Sequence, residues 1–296
     1  MTKVLIIGGH GLGDCLLALQ CAKVVESRGI KPTVYISARK EIFDALYDVF
    51  YKTPMTRIDE SYSENNLVLR SVSKMKELSE GFDEVYYVIP DLLFNNKYAF
   101  NFDKYCTNPQ SIRSLRLLDS YVPKKNIVYL GLMTTTRGYM YYNPVGLAIN
   151  LAKELANYEI YFPVVDKWAS QDIEKVEIPK DIPSNLIIDK NPIFSESLLM
   201  LMQSTYFIGT DNGPSHIAYH AGINRILLDP QYGRLPWIAR WREDYSESVP
   251  ISTSIGIITH IAKCNLKVIQ STLIPRMECA NISLYDWERQ LLLKER

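Results

Sequence analysis

Apolar and polar positions along the chain fall into two successive series of strand and helix patterns. Lys3–Ile7 (KVLII) is a continuous apolar run, as expected of a strand buried on both faces in a parallel sheet. It ends in 8-GGHGLGD-14. Residues 15–29 then carry apolar side chains at helical spacing and close on Gly29, a good C-cap. The run 33-TVYIS-37 is the next strand, so the chain opens as a βαβ unit with a right-handed crossover. Residues 41–50 and 65–78 read as helices, the second with a basic face of Arg70, Lys74 and Lys76, and 84-EVYYVIP-90 as a buried strand. The aromatic, Asn-rich stretch 91–111 reads as a loop and 112–122 as a helix. Pro123 to Asn126 reads as a polar hinge.

The pattern then restarts. Ile127–Met133 (IVYLGLM) is an apolar strand followed by the polar loop 134-TTTRG-138. Pro144 suits the first turn of a helix over 145–157. Strands are expected at 158–165, 186–188 and 225–229, and a helix at 195–204. A second βα series predicts a second Rossmann-like domain, so the expected fold is α/β with domains 1–126 and 127–296 facing a central cleft. The last helix, 284–296, is expected to pack against these domains, with a return to the first.

The stretch 205-TYFIGTDNGPSHIAYHAG-222 concentrates chemistry. It reads as a strand over Tyr206–Gly209, a turn of small and polar residues, and a helix from near Ser215. Such a layout aims free backbone N–H groups and a helix dipole at one point, which suits an anion. His216 is expected to point toward that site. A capped crossover with no ligand is the plain alternative. The glycine loop at 8–14 does not register with G-x-G-x-x-G, and the strand after it ends in Ser37-Ala38-Arg39 with no acid to hold a ribose, which argues against a dinucleotide. It offers Asp14 at a helix start, as a cap, a base or both.

The 296 residues are 47% apolar and 22% charged, with Lys+Arg and Asp+Glu equal at 33 each. A soluble protein without the basic excess of a nucleic-acid binder is expected. Five scattered cysteines without a C-x-x-C pair suggest neither zinc nor a disulfide framework. With no signal peptide read at the N-terminus and no run approaching the roughly 20 apolar residues of a membrane span, a cytoplasmic protein is expected. The pair His216 and His220 lacks an evident third ligand for a metal, and His10 lies in the glycine loop. Arg234, Arg240 and Arg242 alternate with Trp237 and Trp241 in a run that reads as a ligand-facing loop or a surface helix.

Four islands of this sequence carry a family resemblance: the first strand with G-L-G-D, the loop at Thr135, Thr136 and Arg137, D-N-G-P-S-H-x-A from Asp211 to Ala218, and the weaker CANISLYDWERQL from Cys279. The chain resembles two-domain GT-B glycosyltransferases, most of all the bacterial lipopolysaccharide heptosyltransferases (glycosyltransferase family 9). The resemblance implies inverting, metal-independent transfer of a sugar from a nucleotide-diphosphate sugar, ADP-heptose or another, to a hydroxyl of a glycan or glycolipid, in surface glycan synthesis. It implies Asp14 as base, with Gly11, Gly13 and His10 in the loop around it. It also implies Thr135, Thr136, Arg137, Asp211, Asn212, Gly213, Pro214, Ser215 and His216 at the donor. No cofactor, metal or nucleic acid is expected, and a peripheral contact with the inner membrane surface is. The family's lysine after the TTR triplet has no counterpart near Met140, and Asn212 stands where the family has Thr. The alternatives are a non-catalytic nucleotide-binding homologue and a nucleotide-sugar epimerase on the same fold.

Overall fold

The structure is a computed structural model that describes residues 2–8, 11–36, 40–51, 56–59, 72–87, 124–133, 141–164, 177–210, 212–229 and 246–273. The chain divides into two compact units, Met1–Leu118 and Asp119–Arg296. Among the described residues each holds one parallel sheet.

In the first unit, β1 (Val4–Ile7), β2 (Thr33–Ile36), β3 (Thr56–Asp59) and β4 (Glu84–Tyr87) lie in the order β3-β2-β1-β4. The central β1 is buried along its whole length, as its unbroken apolar run requires. Helix α1 (Leu12–Glu26) connects β1 to β2, α2 (Lys40–Phe50) connects β2 to β3, and α3 (Val72–Ser79) precedes β4. Cys15, Leu16, Leu19, Gln20, Cys21, Ala22 and Val25 are all buried, so α1 is a core helix rather than an amphipathic surface one. The chain leaves it through Gly29 in the left-handed region, at φ 74°, which a Cβ would disfavour. Strand order reverses between β1 and β4, and the loop that follows β1 starts at this point. Gly8 opens the loop for a packing reason: a Cβ there would lie 3.1 Å from both Ala18 Cβ and Ile36 Cδ1.

In the second unit, β5 (Lys125–Gly131), β6 (Glu159–Pro163), β7 (Leu186–Asp189), β8 (Ser204–Thr210), β9 (Asn224–Asp229) and β10 (Ser246–Pro250) form a sheet in the order β10-β9-β8-β5-β6-β7. One face sends Val128, Leu130, Ile160, Phe162, Tyr206, Ile208, Ile226 and Leu228 into the main core. There they meet Leu147 and Leu151 of α4 (Pro144–Glu154) and Ile258, Ala262 and Leu266 of α7 (Ile255–Leu273). Each fully buried side chain of this size contributes about 1.5–3 kcal/mol. The other face packs against α5 (Phe194–Gln203) and α6 (Gly213–His220). On it, Tyr161, Tyr129, Phe207 and Arg225 fall in one row across four neighbouring strands. The row is tied down at its tyrosine end: Tyr161 Oη donates to Asp189 at 2.7 Å, and the Tyr129 hydroxyl lies 2.7 Å from that of Ser197.

The residues expected to form a hinge act differently. Lys125 and Asn126 already belong to β5, and Pro123 lies outside the described residues. Lys124 Nζ donates to Met202 O at 2.7 Å and to Ala221 O at 3.4 Å. One ammonium therefore serves the C-terminal carbonyls of two helices, where a cation is favoured. Strands β3 and β10 and helix α7 have no counterpart among the sequence-based elements. The helix expected over 65–78 is described only from Val72, and 91–122 and 284–296 lie outside the described residues.

Candidate functional site

The second sheet has its own reversal point, between β5 and β8, and β8 runs into the turn that the sequence singles out. Open parallel sheets collect ligands outside the carboxyl ends of the strands at such a point. All seven residues of β8 are buried, which fixes where its end projects. At that end Gly209 of β8 stands opposite Gly131 of β5. A Cβ on Gly209 would fall 2.5 Å from Gly131 O and 2.6 Å from Phe207 Cζ, and one on Gly131 would fall 2.6 Å from the same ring. Neither strand can carry a side chain there, because the Phe207 ring lies against both backbones.

Asn212 is the N-cap of α6, with extended backbone at φ −146° and ψ 176°. Its Oδ1 accepts from the Ser215 amide at 3.1 Å, while Ser215 Oγ donates to Asn212 O at 2.7 Å. The Asn212 amide in turn donates to Ser215 Oγ at 3.3 Å, which completes a capping box. This reduces what the turn offers an anion. Pro214 has no N–H, and that of Ser215 is committed to the cap, so of the first three helical residues Gly213 is the one whose amide neither claims. The positive end of the helix dipole remains.

His216 is the fourth residue of α6 and is partly buried. Burial, and second the nearby Arg225 cation, hold its imidazole down to about 4. At neutral pH it is an uncharged ring with one donor and one acceptor nitrogen, so it offers an anion a hydrogen bond rather than a charge. Arg225 is buried in β9. Its Nη1 donates to Ser215 O at 3.3 Å and its Cζ sits 5.0 Å from the Tyr219 ring centroid. Both contacts lie on one side of α6, at i and i+4. His220 is buried edge-on to Tyr219 and is a packing group. The sequence reading takes 225-RILLD-229 only as a strand. A cation opening a run of aliphatic residues is the signal that would have drawn attention to Arg225.

In the first unit, Gly11 and Gly13 flank the start of α1, Gly13 buried, and Asp14 is the third residue of that helix. Gly11 O accepts from the Cys15 amide at 3.0 Å. His10, Thr135, Thr136, Arg137 and Asp211 lie outside the described residues. Among the described residues no group of three or more His, Cys, Asp or Glu side chains is placed to hold a metal ion, and no helix is long and apolar enough to cross a membrane. Cys15 and Cys21 are buried, with burial pushing the Cys21 thiol up, which suits packing groups. Cys264 is exposed on α7, 3.7 Å from His260 Nε2.

No protein-family model matches the sequence, and a search of curated proteins finds no relative. Solved structures do match. The E. coli heptosyltransferase WaaC, solved with ADP, aligns over 90% of this chain and 98% of its own, at 12% identity and a TM-score of 0.54. A family 9 glycosyl transferase from Veillonella parvula aligns over 100% and 98%, at 10% identity and a TM-score of 0.51. TibC of enterotoxigenic E. coli, a dodecameric iron-containing heptosyltransferase solved with ADP-D-β-D-heptose, aligns over 84% of this chain, at 15% identity and a TM-score of 0.51. The chain spans 62% of the length of TibC. The fold is therefore that of the heptosyltransferases and family 9 glycosyltransferases, the GT-B class expected from the sequence.

Proposed function

We propose that the chain is an inverting glycosyltransferase that moves a sugar from a nucleotide-diphosphate sugar to a hydroxyl of a glycan or glycolipid acceptor, without a metal ion. The observation that carries this reading is the place of the two motif loops. The glycine loop leaves the first sheet where its strand order reverses, and the 211–216 turn leaves the second sheet at its own reversal. The fold likeness to heptosyltransferases solved with ADP and ADP-heptose supports the class of donor.

In this reading Asp14 accepts the proton of the acceptor hydroxyl. The hydroxyl oxygen attacks the anomeric carbon from the face opposite the leaving group. The bond from that carbon to the phosphate oxygen breaks, and the nucleoside diphosphate leaves with the electron pair. Its developing charge is met by the N-terminus of α6, the Gly213 amide, a hydrogen bond from His216, and the side chains of Thr135, Thr136 and Arg137. The protein works in the cytoplasm, with a peripheral contact at the inner face of the membrane.

Asp14→Asn tests the assignment of the base. The kcat is expected to fall by about 10²–10⁴-fold with nucleotide affinity retained. Turnover near that of the wild type would remove Asp14 from this role. Titration calorimetry of the wild type with ADP, UDP and GDP comes first, and binding of none of them would sink the donor-site reading.

A further inference from the structure

Asn212 does more than cap α6. While its Oδ1 holds the Ser215 amide, its Nδ2 donates to Gly131 O at 2.7 Å and Met133 O at 3.1 Å, and lies 3.4 Å from Thr210 Oγ1. Gly131 ends β5, the strand across the reversal point, and Met133 is the residue from which the chain enters 134-TTTRG-138. The carboxamide is used at both ends, so little hydrogen-bonding capacity is left for a ligand. A Cβ at 131 would stand 3.4 Å from Nδ2, an ordinary contact distance, so the glycine there answers to the Phe207 ring at 2.6 Å rather than to the carboxamide. A threonine can cap the helix. Its single hydroxyl proton on a shorter arm cannot serve two carbonyls two residues apart.

We infer that Asn212 is a positioning residue: its carboxamide is a strut that fixes the head of α6 against the exit of β5, and it acts on a bound nucleoside diphosphate through those two segments rather than by touching it. The functional half of this inference rests on the donor-site reading above. The strut stands on its own geometry. A mere cap would survive replacement by any good N-cap residue, and a strut does not.

Two variants of the full chain keep a cap and remove the strut. Asn212→Ser has a hydroxyl acceptor, and Asn212→Asp is nearly isosteric but cannot donate. Hydrogen exchange read by mass spectrometry is expected to show peptides spanning 129–140 exchanging about tenfold faster in both variants, with 213–220 unchanged. Calorimetry with ADP, UDP and GDP is expected to show the best-bound nucleotide about tenfold weaker in Asn212→Ser, where no charge is added. Unchanged exchange at 129–140 overturns the strut. Faster exchange with unchanged nucleotide affinity overturns the positioning role. If the wild type binds none of the three nucleotides, the donor-site reading and the positioning role fall together, and exchange alone decides the strut. Should Asn212→Asp not fold, Asn212→Ser carries both measurements.

Discussion

At the scale of single residues, His216 has the most measurable consequence. Its folded-state pKa of about 4 lies below the ordinary 6.5, because burial and Arg225 disfavour the cation. Between those two values the unfolded chain binds a proton that the folded chain refuses. The stability contributed by the neutral ring is thus fully present above pH 6.5 and is lost as the pH falls toward 4. Urea midpoints of wild type minus His216→Gln, followed from pH 7 to pH 4, are expected to trend downward, and a flat difference would contradict the assignment. If the ring donates to a phosphate, His216→Ala costs about 0.5–1.5 kcal/mol of nucleotide binding. Gly209 sets a different limit. The methyl of Gly209→Ala would press on the Gly131 carbonyl as well as on Phe207, and a backbone atom of a central strand cannot swing away. A loss of about 1–3 kcal/mol or more is expected in denaturant titration.

At the scale of elements, α4 is held at both ends by asparagines. Asn143 Oδ1 accepts from the Gly146 amide at 2.9 Å. At the other end Asn185 Nδ2 donates to Ala152 O at 3.0 Å in the last turn, and to Leu155 O at 3.3 Å and Tyr158 O at 2.9 Å in the segment that leaves the helix, where Leu155 O also accepts from the Tyr158 amide. Asn185→Ala strips three carbonyls of a partner and is expected to cost about 1–3 kcal/mol, more than the roughly 1 kcal/mol of Asn143→Ala. Thermal unfolding of the two variants compares them. The elements also show what was legible in the sequence. The inner strands β1, β5 and β8 are built on continuous apolar runs, because parallel strands buried on both faces need nothing else, and they stand where the pattern puts them. Two of the edge strands are different. TRID in β3 and SESVP in β10 have a neighbour on one side, tolerate polar residues and carry no periodic signal. For α7 the signal was present, since Ile258, Ala262, Leu266 and Ile269 recur at helical spacing into the core. At the site, D-N-G-P-S-H marks a strand–turn–helix without revealing that the Ser215 amide is already taken. The second set of partners, the Gly131 and Met133 carbonyls that take up Asn212 Nδ2, lies some 80 positions away, and residue types do not encode it.

At the scale of the whole molecule, two parallel sheets in succession were legible because the βα pattern restarts, and the GT-B class was legible in the motif islands that carry the family resemblance. The polar stretch between the two series is a different matter. Pro123 to Asn126 looks like a linker in composition, whereas Lys124 holds two helix ends and Lys125 opens a strand. Flexible composition and structural employment are separate properties, and only the partners of Lys124 tell them apart. This matters to anyone who wishes to cut the chain in two. A fragment beginning at 127 would discard the ammonium that closes α5 and α6 together with the first two residues of β5, and would begin its life with a frayed central strand. One beginning at 119 keeps them, and is expected to unfold at a higher urea concentration than the shorter piece. The ammonium at 124 thus sets the shortest N-terminus with which the second half can be dissected from the first.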